Sequence, residues 1–154
     1  FLTQGFVYDS AEQAEARFVK AGEDEFIYAR YGNPTLAMFE DRIASLEGVE
    51  AGFATASGMA AVNGALMALV KAGDHIVSSR ALFGSCLYIL EDVLGRFGVE
   101  ITLVDGRDLA AWKTAVRPDT KLVFCESVSN PTLEVIDLKA VADIAHAKIG
   151  RAHV

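Results

Sequence analysis

An α/β fold with a parallel or mostly parallel sheet is what this sequence predicts, and three observations predict it. Short apolar runs of strand type alternate with helical stretches from residue 51 to residue 147, the order that places helices over a parallel sheet. Hydrophobic residues make up 52% of the 154 positions and are spread along the chain, enough for one sizeable core and one domain and too many for a disordered segment. Small residues also gather where a strand run gives way to a helix, at Ala54-Thr-Ala-Ser-Gly-Met-Ala-Ala61.

The elements follow in order. Ser10 is placed to cap a helix running to Lys20, with Glu12 and Glu15 near its positive end. Residues 21–33 are irregular and rich in Gly and Tyr. Pro34 opens a second helix, since proline suits the first helical position. Leu36, Phe39, Ile43 and Leu46 recur at three- and four-residue steps on one face, and Gly48 ends it. Residues 51–55 read as a short strand and 57–70 as a buried helix. After a Gly73-Asp74 turn, 75–79 is a strand and 84–97 a helix broken near Gly95. Residues 100–104 form a strand, 109–116 a short helix and 121–125 a β-branched and aromatic strand. Asp137 caps a last helix to about Ala147.

Charge and composition exclude several functions. With 21 acidic against 14 basic residues the net charge is −7, and an acidic surface repels phosphate backbones, so nucleic acid is a poor partner. No apolar run approaches the roughly 20 residues that a membrane span needs. His75, His146 and His153 show no metal-ligand spacing. Cys86 and Cys125 lie far apart among apolar residues and read as free thiols, which fits a reducing, cytoplasmic setting.

Four segments carry chemistry. At Ser57-Gly58 a helix begins after a strand run, and the unpaired first-turn N–H groups and the dipole make such a place an anion cradle; Ser57 adds a hydroxyl donor. Tyr28-Ala-Arg-Tyr-Gly-Asn-Pro-Thr35 offers the Tyr28 phenol and the Arg30 guanidinium fork, both suited to phosphate oxygens. Leu82-Phe-Gly-Ser-Cys86 puts Phe83 at the carboxyl end of a strand, where ligands bind in open α/β sheets and where a ring can stack on a flat cofactor. Glu126-Ser-Val-Ser-Asn-Pro-Thr132 follows the last strand. There Asn130, held extended before Pro131, can present its amide, while Glu126 reads as hydrogen-bonded and structural. Taken singly, tight packing, a solvated loop or a core phenylalanine would account for each of the first three.

Together, in this order and in these strand contexts, they resemble the Cys/Met-metabolism PLP-dependent enzymes over about Phe6 to Ala147. That family holds cystathionine γ-synthase, the cystathionine lyases, methionine γ-lyase and the O-acyl-homoserine sulfhydrylases. Phe6-Val-Tyr-Asp-Ser-Ala-Glu-Gln-Ala-Glu-Ala-Arg17, the Tyr28–Thr35 segment and Leu82-Phe-Gly-Ser85 are most similar to its O-succinylhomoserine sulfhydrylase branch.

The resemblance implies a PLP-transferase type I fold with pyridoxal 5'-phosphate (PLP) as cofactor. Residues 1–33 would form an N-terminal arm and 34–147 the first part of the large domain. Gly58 and Met59, beside Ser57, would give backbone donors to the PLP phosphate. Tyr28 and Arg30 would reach the phosphate of a neighbouring subunit, making the protein a homo-oligomer, a homotetramer by family. Phe83 stands where most members have a tyrosine stacked on the pyridine ring, so stacking is kept and the hydroxyl lost. Asn130 would lie near the cofactor's 3-oxygen and the substrate carboxylate. The implied reaction converts O-succinylhomoserine and sulfide to homocysteine and succinate in methionine biosynthesis, with cystathionine γ-synthase or γ-lyase chemistry as the alternative.

The family's cofactor-carrying lysine, in a Ser-x-x-Lys context, and its pyridinium-pairing aspartate have no match here, so no catalytic residue is assigned and the 154-residue chain itself is expected to be inactive. A plain phosphate-binding α/β fragment is the reading from another class; a dinucleotide fold would need a G-x-G-x-x-G that is absent. Residues 148–154 have no turn or strand logic, and 149–154 match a translated sequencing-library adapter, so they are expected to be a non-native tail.

Overall fold

The computed structural model describes residues 2–22 and 25–149; most of the expected tail, 150–154, lies outside them. The chain divides into two compact units, Phe1–Ala56 and Ser57–Val154.

In the first unit, α1 (Ala11–Val19) starts at Ser10, whose hydroxyl accepts the Gln13 N–H, while Gln13 Oε1 accepts the Asp9 N–H at 2.8 Å. Helix α2 (Pro34–Glu47) is capped by Asn33, whose side chain accepts the Thr35 N–H at 2.9 Å, and ends at Gly48 with φ 68°, a left-handed turn that glycine makes without steric cost. Its periodic apolar residues are exposed in this chain: Leu36 40%, Phe39 55%, Ile43 40% and Leu46 73%, with Ala44 alone buried.

Residues 51–55, expected as a strand, are irregular. The reason lies in α2. The Ala54 N–H donates to Glu40 Oε1 at 2.7 Å, so α2 takes a backbone donor that a sheet would need. Gly52 lies so close to α2 that a Cβ there would sit 2.8 Å from the Glu40 carbonyl oxygen.

The second unit holds the core. Helix α3 spans Gly58–Leu69, β1 His75–Ser79, α4 Gly84–Tyr88, β2 Glu100–Val104, α5 Leu109–Ala115, β3 Thr120–Phe124 and α6 Leu138–Ile149. The strands form a parallel sheet in the order β2-β1-β3. Alternation along the strands divides the core in two. On one face Ile76, Ile101 and Leu122 pack with Leu66 of α3 and with Cys86, Ile89, Leu90 and Leu94. On the other, Val77, Val104 and Val123 pack with Trp112 and Val116 and with Val141 and Ile144 of α6. Beside the free edge of β3 runs an apolar groove of about 600 Å³, between α3 and α6.

Two departures from the sequence reading are instructive. Helix 84–97 is not broken at Gly95; its irregularity is a π-helical turn at Ile89–Leu94 directly after α4. The extra residue in that turn accompanies burial of Ile89, Leu90 and Leu94 together. Helix α6 runs to Ile149, and Lys148 Nζ donates to the Lys113 and Val116 carbonyls at 2.7 Å each, satisfying acceptors at the end of α5.

At the amino ends of the strands lies a buried polar tie. The fully buried His75 of β1 bonds through Nδ1 to Thr120 Oγ1 of β3 and through Nε2 to Thr102 Oγ1 of β2, both at 2.8 Å. The Arg117 N–H donates to the same Thr120 hydroxyl at 2.9 Å. Burial, helped by the Arg117 guanidinium, holds the His75 pKa below its ordinary value.

Candidate functional site

The chemistry-bearing residues of the second unit lie where the chain leaves β1 and β3 and where α3 begins. Ser57 caps α3: its Oγ accepts the Ala60 N–H at 3.1 Å, and its carbonyl accepts the Ala61 N–H. Accepting this bond leaves the Ser57 O–H proton able to donate. Gly58 and Met59 are the first two helical residues, so their N–H groups have no acceptor within the helix and sit at its positive end. A Cβ on Gly58 would meet nothing within 4 Å. The Met59 side chain packs against the core beneath, so this residue offers its backbone to the helix start.

Phe83 precedes α4 and is 43% exposed. Four residues earlier β1 ends at Ser79, whose Oγ accepts the Ala81 N–H at 3.2 Å and turns the chain. The Phe83 carbonyl accepts the Cys86 and Leu87 N–H groups, and no side chain caps this helix start.

Asn130 sits in the loop after β3 and is exposed. That loop is closed by the Val128–Val135 bridge and by N–H donation from Ser129 to the Glu134 carbonyl and from Leu133 to the Ser129 carbonyl. Leu133 adopts φ 56° there. The Asn130–Pro131 peptide is cis, a geometry that the extended reading of Asn130 did not include.

The tie between the two loops is Glu126, which the sequence reading treated as structural. Its Oε1 accepts the Phe83 N–H at 2.8 Å and its Oε2 accepts the Asn130 N–H at 2.9 Å. One carboxylate thus holds the backbone of both residues. The sequence signal was present, in an acid placed directly after a strand and four residues before Asn-Pro, but nothing local pointed to Phe83.

Tyr28 and Arg30 belong to the first unit. The Arg30 guanidinium lies over the Tyr28 ring at 4.6 Å and over Tyr31 at 5.4 Å, and both Tyr28 and Arg30 are exposed. The segment is pinned by the Gly5–Tyr28 bridge and by the Ala29 N–H on the Gln4 carbonyl. This stacking orders a guanidinium and a phenol side by side.

The donor set suits a phosphorylated, planar cofactor. Helix-start N–H groups with open space at Gly58 suit the phosphate, the exposed Phe83 ring suits a flat heterocycle, and Asn130 suits a polar ring substituent. Among the described residues no cluster of three or more His, Cys, Asp or Glu side chains is placed to hold a metal ion, and no helix is long and apolar enough to cross a membrane. Cys86 is buried, Cys125 is half-buried and both are free; burial pushes both thiols up, and the Glu126 charge adds to the effect at Cys86.

Known proteins are similar to this chain along nearly its whole length. The family model for Cys/Met metabolism PLP-dependent enzymes matches residues 1–154. O-succinylhomoserine sulfhydrylase of Mycobacterium tuberculosis (strain ATCC 25618 / H37Rv) is 50% identical over 148 residues, covering 96% of this chain and 36% of that protein. L-methionine gamma-lyase of Porphyromonas gingivalis is 45% identical over 150 residues, 97% of this chain and 37% of that protein. A Campylobacter jejuni crystal structure containing N'-pyridoxyl-lysine-5'-monophosphate superposes with a TM-score of 0.85 at 32% identity, covering 96% of this chain and 36% of that one. The chain therefore spans little more than a third of the length of these relatives.

Proposed function

The chain belongs to the Cys/Met metabolism PLP-dependent enzymes, and from that premise we propose that it supplies one wall of a PLP site that exchanges the γ-substituent of an activated homoserine. The reaction is O-succinylhomoserine plus sulfide giving homocysteine plus succinate. The observation that carries this reading is the joining of Phe83 and Asn130 through Glu126, in the same unit as the open helix start at Gly58. The 50% and 48% identities to O-succinylhomoserine sulfhydrylases support the choice of substrate.

Each residue has a part. Gly58 and Met59 bind the phosphate through backbone N–H groups, and Ser57 keeps that helix start in place. Tyr28 and Arg30 bind the phosphate held by a second subunit of a cytoplasmic homo-oligomer. Phe83 covers one face of the ring and excludes water from it. Asn130 orients the ring's polar edge and the substrate carboxylate. The cofactor supplies the electron sink when bound. The lysine that carries it comes from outside these 154 residues: Lys139 is paired with Asp143 and Lys148 is bonded to two carbonyls, and Lys20, Lys71, Lys113 and Lys121 lack the family's sequence context. The chain alone is accordingly inactive.

A γ-lyase is the second reading, favoured by the 45% identity to a methionine γ-lyase. Phe83 weighs against it, because a phenylalanine cannot pass a proton to a leaving group. The experiment is to supply the full-length protein with PLP, sulfide and O-succinylhomoserine or O-acetylhomoserine, and to measure homocysteine and α-ketobutyrate. Homocysteine in excess from the succinyl ester supports the proposal. α-Ketobutyrate in excess supports the lyase, and neither product with PLP bound overturns both.

A further inference from the structure

We infer that Glu126 is a positioning residue, whose two carboxylate oxygens set the Phe83 ring and the Asn130 amide at a fixed separation in the site. This rests on the reading of that site as a PLP site. The geometry is specific to a carboxylate. Oε1 faces one N–H and Oε2 another, at 2.8 and 2.9 Å, across sequence separations of 43 and 4 residues. Glutamine has one oxygen, so its amide group would point a donor at one of the two donors. Aspartate is one methylene shorter, so from the same backbone it cannot reach both.

At the front of α4 the Phe83 side chain makes no cap of its own among the described residues. The Phe83 ring is exposed and so receives little fixing from packing. Its direction depends on the backbone that Glu126 grips. Asn130 is likewise exposed, and its N–H donates to the carboxylate of Glu126, two residues past the end of β3. Bonds from N–H groups to an ionised carboxylate are among the stronger ones available.

The two loops leave different strands, β1 and β3. Without the shared carboxylate each could move independently, and the ring and amide would lose their mutual register. A shift of a fraction of an ångström in such groups is costly to a bound cofactor. Glu126 would thereby act on two cofactor contacts at once without touching the cofactor.

The test uses the full-length protein with E126Q, E126D and E126A. In the PLP-free protein, amide hydrogen exchange at Phe83 and Asn130 should quicken at least about tenfold in E126A, the worth of one charge-assisted bond, with β1 amides unchanged. In the PLP-loaded protein, E126Q should weaken PLP binding about tenfold on the same scale. Its visible circular dichroism per bound PLP should fall, because ring orientation is lost, and E126D should lie between E126A and the parent. Should E126A fail to fold, the near-isosteric E126Q carries both measurements. Unchanged exchange at both amides overturns the clamp. Faster exchange with unchanged dichroism and PLP affinity reduces Glu126 to a fold residue and overturns the positioning role. A parent protein that binds no PLP overturns the site reading itself, whatever the exchange data show.

Discussion

Toward the amino ends of the strands, the buried His75 joins the half-buried Thr102 and the buried Thr120 through its side chain. At the carboxyl ends of β1 and β3, Glu126 joins Phe83 and Asn130 through their backbone N–H groups, leaving the Phe83 ring and the Asn130 residue exposed. Both are polar ties across the same sheet, but they spend their atoms differently. The His75 tie engages both ring nitrogens and joins all three strands through side chains. The Glu126 tie consumes backbone donors and leaves the side chains that it positions available for other work. A parallel sheet has two unlike ends, and here one holds the strands together while the other leaves exposed the groups that we propose face a ligand.

The comparison is broken most directly at its closed end. His75→Ala removes a buried ring and its hydrogen bonds to two threonine hydroxyls, and should lower unfolding free energy by about 3 kcal/mol in urea denaturation of the full-length protein. PLP affinity per folded molecule should stay as it was. Loss of PLP affinity without loss of stability would reverse the assignment of the two ends.

The open end gives the opposite signature. Phe83→Ala should weaken PLP binding by about 0.5–1.5 kcal/mol of aromatic contact plus lost burial, with unfolding free energy changed by less than about 0.5 kcal/mol, as for an exposed residue. Phe83→Tyr should keep the affinity, and the new phenol should raise α-ketobutyrate release. Dissociation rates and product assays decide. Tight PLP binding by Phe83→Ala would make Phe83 an ordinary surface residue.

Ser57 sharpens the comparison because it belongs to both columns. Ser57→Ala deletes the α3 cap and should cost about 1 kcal/mol of stability. It should also weaken PLP binding in the same variant, since the helix start would fray where the phosphate is proposed to bind. A stability loss with unchanged affinity would take the α3 start out of the site.

The smallest effect is in pH. His75 is held below its ordinary pKa, so in the fold it is neutral while the unfolded chain takes up the proton first. Its contribution is therefore intact above about pH 6.5 and is lost as the pH falls through that value. Glu100 and Asp105 are held low, chiefly by hydrogen bonds from Arg117 and Arg107 respectively, and they act in a separate window below about pH 4.5. His75→Gln should remove the stability slope between pH 5 and 7 and leave the acid limb in place, as read by thermal melts across pH.

Much of this architecture was legible because it is governed locally. Ser10, Asn33 and Asp137 cap helices through N–H groups two or three residues on, and Gly48 ends α2 by its own conformation. The three strands stand out as apolar runs between turn residues, β3 offset by one residue from its expected start. What was hidden depends on distant partners. The irregular path of 51–55 is set by Glu40 of α2, 14 residues before Ala54. The role of Glu126 is set by Phe83, 43 residues away, and that of His75 by Thr120, 45 residues away. The π-helical turn answers to burial of three side chains in one stretch, which periodicity at 3.6 residues does not register. The candidate site residues were legible as residue types in strand and helix contexts; the carboxylate that joins two of them was not.

The indole of Trp112 is fully buried on the α5 and α6 side of the sheet, with Nε1–H donating to the Gly106 carbonyl at 2.9 Å. It is the single tryptophan in these 154 residues. The intrinsic fluorescence of this region is therefore a one-sided optical gauge: its emission shifts to the red when the α5 and α6 layer opens to water, and it stays dark to rearrangements on the α3 and α4 side, where a ligand-binding experiment needs a dye of its own.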